Sequence, residues 1–147
     1  MQRTFSAFAA ALLCLGPAIA GPDEDTIRSL LNATFDKPES RLVVDPVAIA
    51  GEHSIAGWTQ GDMGGRALLR RKGREWQLVL CSGDDLKSAD TLANVGLPID
   101  AARTLAARLA ESEGKLAPAR LALFSKFEGL VMMDAVGQHP PQHHPHH

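Results

Sequence analysis

Five of the six histidines fall in the last nine residues, at His139, His143, His144, His146 and His147. A neutral imidazole is a borderline ligand suited to Cu(II), Ni(II) and Zn(II). With an ordinary pKa of about 6.5, these rings are mostly deprotonated at neutral pH. The pairs His143-His144 and His146-His147 each place two nitrogens within one short stretch. The affinity order for divalent first-row ions favours copper, with zinc or nickel able to occupy the same ligands in vitro. A purification tag is normally an uninterrupted run of histidines, whereas prolines and glutamines interrupt this one. Residues 138–147 offer no apolar side chain to bury, and Pro140, Pro141 and Pro145 oppose helix and sheet. Residues 135–147 are therefore expected to form a flexible metal-binding tail.

Softer donors precede the tail. Met132 and Met133 are thioethers, which favour Cu(I) over Zn(II). Methionine pairs also serve as core filler, and that alternative stands beside the ligand reading. Met63 lies in Gly61-Asp62-Met63-Gly64-Gly65, where nothing apolar adjoins it in sequence. If Gly73-Arg74 makes a hairpin turn, Lys72 faces Glu75 and Arg66 faces Cys81. Cys81 then shares a sheet rim with the Met63 turn, at a separation of roughly 10 Å. A thioether and a thiol on one rim would suit Cu(I); core packing of Cys81 beneath a helix is the alternative. By the same register His53 falls at the opposite end of the sheet.

These donors need a scaffold, and the chain has room for one domain. It has 147 residues, 45% hydrophobic, with 15 Lys+Arg against 17 Asp+Glu for a formal charge of −2. Residues 1–20 carry a short positive start, an apolar core and a small-x-small end, the three parts of a cleaved secretory signal peptide. Their apolar run is too short for a permanent membrane anchor. Cleavage would remove Cys14 and leave Cys81 as a lone thiol in an exported, oxidising compartment, without an internal disulfide partner.

Residues 21–134 are expected to form a single α+β domain. Residues 23–35 make a first helix, capped by Asp25, with Ile27, Leu30, Leu31 and Thr34 on one face. Four strands follow over 42–50, 53–60, 66–72 and 75–81, joined by glycine turns too short for parallel crossovers. A helix capped by Asp84 or Asp85 runs to Asn94, and another opens at Pro98 with Ile99, Ala102, Leu105, Ala106 and Leu109 on one stripe. A last helix over 116–130 would bury Leu116, Leu123, Phe127 and Leu130. The helix and curled meander are analogous to a cystatin-like roll.

Enzyme motifs are lacking: there is no nucleophile elbow, zinc-protease helix or phosphate loop. Ser82-Gly83-Asp84-Asp85 is explained by a strand-to-helix turn. The run Arg66, Arg70, Arg71, Lys72 and Arg74 alternates with leucines as a solvated strand does. Without a strong basic excess, nucleic acid is excluded as an expected partner.

The stretch Gly57-Trp58-Thr59-Gln60-Gly61-Asp62-Met63-Gly64-Gly65, with Trp76-Gln77-Leu78-Val79-Leu80-Cys81-Ser82-Gly83-Asp84, resembles exported bacterial copper-uptake-associated proteins. Pro118-Ala119-Arg120-Leu121-Ala122-Leu123-Phe124, Phe127-Glu128-Gly129 and the His-rich end extend the likeness over most of the chain. The resemblance implies a periplasmic protein working with a protein partner in copper uptake or delivery. It supplies no ligand set. The expectation is a copper-binding chaperone or buffer, or else an interaction module of such a system with the tail accessory.

Overall fold

The computed structural model describes residues 21–133, so the expected signal peptide and His-rich tail lie outside the described residues. Helix α1 (Pro22–Phe35) precedes β1 (Leu42–Ala50), β2 (His53–Gln60), β3 (Met63–Lys72) and β4 (Glu75–Ser82). A 3-10 turn at Asp84–Lys87 leads to α2 (Ala89–Asn94), α3 (Ile99–Glu113), α4 (Pro118–Phe124) and β5 (Leu130–Met132). The strands form one antiparallel sheet in the order β1-β2-β3-β4-β5. The class is α+β as expected, with five strands where four were expected.

Three two-residue loops set the meander. Ala50 pairs with His53, Gln60 with Met63 and Lys72 with Glu75, leaving Gly51-Glu52, Gly61-Asp62 and Gly73-Arg74 as the turns. Their glycines have φ of 58, 63 and 64°. Glycine adopts this region without a Cβ penalty, and a two-residue hairpin with glycine first requires it. The middle turn is shorter than expected, because Met63, Gly64 and Gly65 already belong to β3.

Both sheet faces are covered. Ile27 and Leu31 of α1 pack on Val44, Val47, Ala56, Ala67 and Leu78. Ala102, Leu105 and Leu109 of α3 pack on Ile55, Leu68 and Leu80 from the other side. Helix α1 starts at proline behind Gly21 rather than at an Asp25 cap, with Asp23, Glu24 and Asp25 in the first turn of its dipole. Ser88, not Asp84 or Asp85, caps α2 by accepting the Thr91 N–H. Thr34 is exposed rather than on the apolar face.

The largest departure follows Gly114. In place of a helix over 116–130, α4 ends at Phe124, and the chain crosses the end of the sheet and returns as β5 beside β4. Phe124 is fully buried, whereas Leu130, expected in the core, is 40% exposed. Gly129, at φ 75°, is incompatible with a continuing right-handed helix. The crossing lies against bare backbone. A Cβ on Gly57 would sit 2.6 Å from the Phe124 ring, on Gly64 2.7 Å from the Leu123 carbonyl oxygen, and on Gly65 2.9 Å from Phe127 Cβ. The glycines around Trp58-Thr59-Gln60 thus make a track for residues 123–127.

The β1 edge of the sheet is capped by side chains. Arg28 of α1 donates to the Val44 carbonyl at 3.1 Å, Arg108 of α3 to Ile49 at 2.6 Å, and Arg120 of α4 to Asp45 at 2.7 Å.

Candidate functional site

A bulge decides where Cys81 points. Leu68 pairs with Leu80 but Leu69 pairs with Leu78, so Val79 is an extra residue in β4. Since strand side chains alternate between faces, a one-residue slip changes the face. Cys81 therefore pairs with Ala67 on the α1 side and Arg66 pairs with Ser82 on the α3 side, correcting the expected Arg66–Cys81 pairing. Cys81 is 4% exposed, and burial pushes its thiol up to about 12. Native Cys81 is expected to resist iodoacetamide at pH 8 and to react fully in denaturant, as read by intact mass. Rapid labelling of the native protein would show an accessible thiolate.

Strand β5 brings a second sulfur to this wall. Val131 pairs with Cys81, and the Met133 N–H donates to the Val79 carbonyl at 2.9 Å. Cys81 and Met133 line a cavity of about 170 Å³ whose other walls include Leu31, Phe35, Trp58 and Phe127. The Trp58 and Phe127 rings meet edge to face at 5.9 Å between centroids. Trp58 Nε1 is buried without a hydrogen-bond partner among the described residues. Gln60 also lines the cavity, but its amide nitrogen already donates to the carbonyls of Phe35 and Ser40, both at 2.8 Å.

The other donors are separate. Met132 pairs with Leu80 and is 52% exposed. Met63 is also exposed and opens β3 four residues before Ala67, the partner of Cys81. That is about 13 Å along the strand, so the register does not bring Met63 and Cys81 to the expected spacing. His139, His143, His144, His146 and His147 lie outside the described residues. Among the described residues, no group of three or more His, Cys, Asp or Glu is arranged to hold a metal. His53 pairs with Arg70, away from Cys81, and its pKa is lowered by burial and by Arg70 against an opposing effect of Glu52.

The most heavily charged buried feature was not anticipated. Arg66, expected on a solvated strand, is 2% exposed, and its Nε donates to Glu113 at 2.9 Å with Nη2 on the same carboxylate. Its Nη1 reaches Asp84 Oδ1 at 3.1 Å. Phe124 sits between two guanidinium groups, with Arg66 at 5.3 Å and Arg120 at 5.2 Å from the ring centroid. One sequence signal existed: Glu113 falls four residues after Leu109, on the buried stripe of α3.

Asp84 also accepts the Ser125 hydroxyl at 2.8 Å. That bond, with smaller contributions from Lys87 and Arg66 and against partial burial, holds its pKa below the ordinary 3.8. A depressed carboxylate contributes stability that is full above its unfolded pKa and lost as pH falls through the folded one. Asp84→Asn should therefore lower the urea midpoint at pH 7, with the difference from wild type shrinking below about pH 4. A pH-independent difference would assign the loss to packing.

Comparison with protein-family models, with curated proteins and with solved structures finds no match to this chain. No helix among the described residues is long and apolar enough to cross a membrane.

Proposed function

We propose that this chain is a periplasmic copper-binding protein, a chaperone or buffer that hands copper to an uptake or assembly partner. The observation that carries the reading is the place of Met132. It is 52% exposed on the last strand of the domain, directly before the segment that holds five histidines. Transfer requires donors that exchange, and a thioether open to solvent can take up and release Cu(I) without unfolding anything. Met133 is the adjacent donor on the same strand. Cys81 is a slower one, because binding there must first expel the proton of a buried thiol. Met63, exposed at the far end of β3, would act as a separate thioether.

In this reading His139, His143, His144, His146 and His147 capture Cu(II), and the scaffold is a cystatin-like roll that presents them. Deleting residues 138–147 should remove most Cu(II) uptake in a titration while leaving the circular dichroism of the domain unchanged. Met132→Leu should weaken Cu(I) retention against a chelator by about tenfold, the effect of losing roughly 1.4 kcal/mol. Unchanged Cu(II) stoichiometry in the deletion would refute the tail assignment, and unchanged Cu(I) retention would return Met132 to the surface.

A further inference from the structure

Cys81 is covered differently on its two flanks. Within the sheet it lies between Ala67 of β3, which is fully buried, and Val131 of β5, which is partly buried. On its own face it shares a cavity wall with Phe127 and Met133. Val131 and Met133 both belong to a segment that is lightly held. Glu128, Gly129, Leu130 and Met132 are exposed, and β5 has a neighbouring strand on one side only among the described residues. Its ties to β4 are three residue pairs, the Met133 N–H on the Val79 carbonyl, and the Ser82 hydroxyl on the Gly129 carbonyl at 2.7 Å.

The chain just before is fixed far better. Phe124 is fully buried against the Arg66 and Arg120 guanidinium groups. Phe127 rests on the backbone of Gly65 and Gly83 and sets its ring against Trp58. Gly129 follows, with a φ of 75° that a side chain would strain, although a Cβ there would meet nothing within 4 Å. Segments with few buried contacts and exposed backbone hydrogen bonds open locally, at a fraction of the free energy of global unfolding.

We propose that residues 128–133 form a latch, hinged at Gly129 behind the Phe127 anchor, whose opening is the route by which thiol-seeking molecules reach Cys81. Opening lifts Val131 from the flank of Cys81 and withdraws Met133 from the same wall, leaving β4 a border strand over Leu80–Ser82. The other four strands stay paired, with α1 and α3 on their faces. The latch governs access to a thiol and needs neither copper nor the histidines, so it goes beyond the copper-carrier reading.

The metal-free full chain can be labelled with iodoacetamide and with the bulkier dithionitrobenzoate in rising urea, read at the Cys81 peptide by mass. Each rate is divided by that of the unfolded chain. Both reagents should show the same protection, because each waits for the same opening. The protection should fall with urea at about a fifth or less of the slope for global unfolding. Gly129→Ala strains the closed latch without a clash and should speed labelling at least about fivefold. Ser82→Ala should speed it about fivefold, the worth of one net hydrogen bond. Arg108→Ala loosens the β1 border instead and should leave the rate within about twofold of wild type. A urea slope equal to that of global unfolding overturns the latch, as does an Arg108→Ala effect matching that of Gly129→Ala. Iodoacetamide outpacing dithionitrobenzoate after normalisation also overturns it, since small molecules would then be entering the closed cavity. The Cu(II) titration of the tail deletion tests the copper reading on other residues, so the two can fail separately.

Discussion

Glu113→Ala is expected to destabilise the domain by about 3–5 kcal/mol, measured as a fall in the urea midpoint at pH 7. The cause is the charge left behind. Arg66 is buried in the sheet and brings a guanidinium charge with it. Glu113 supplies its bidentate partner, whereas Asp84 is half-exposed and touches a single nitrogen. Removing Glu113 therefore leaves most of the desolvation cost of Arg66 without its compensation. A second variant separates this from lost packing. Arg66→Met with Glu113→Leu removes both charges and keeps apolar volume, so it should recover most of the stability, since replacing a buried ion pair by hydrophobic residues is often neutral or favourable. A loss below about 1 kcal/mol in the single variant would mean that Asp84 or water satisfies Arg66 unaided.

Gly64→Ala should cost about 1–3 kcal/mol, against the small gain in strand propensity that alanine normally brings. The added methyl would meet the Leu123 carbonyl oxygen at 2.7 Å, the Leu123 carbonyl carbon at 2.9 Å and the Trp58 carbonyl oxygen at 3.0 Å. All three are backbone atoms and cannot rotate away. Relief requires α4 to lift from the sheet, which would draw residues 125–129 and β5 with it. Hydrogen exchange should consequently accelerate most at the Met133 amide bonded to Val79, with β1 and β2 little affected. Uniform acceleration across the sheet would show a global loss of stability instead.

Much of the scaffold was legible because it is written in local chemistry. The bounds of β1 and β2 follow from β-branched runs ended by glycine, and α3 from its apolar spacing. Two features were hidden. The Val79 bulge inserts one residue inside an otherwise regular apolar strand, and no residue type marks it, so the face of Cys81 came out reversed. Residues 116–130 imitate a helix because Leu116, Leu123, Phe127 and Leu130 nearly share a helical stripe, while Gly129 was the sign against it. Arg66 was misplaced for a related reason: its neighbours in the sequence are mixed, and the carboxylates that make its burial tolerable, Glu113 above all and Asp84 beside it, are distant in the chain. For the candidate site, donor types could be read from the residues, but bringing Met133 to Cys81 depended on β5, a three-residue strand whose pairing is entirely non-local.

The helix arginines that bond to β1 also oppose association of copies of this domain through that strand. Arg28, Arg108 and Arg120 occupy carbonyls of that border strand, so an incoming chain would have to displace three helices' worth of side chains before pairing there. The β1 border is thus closed to strand addition for as long as those three bonds hold.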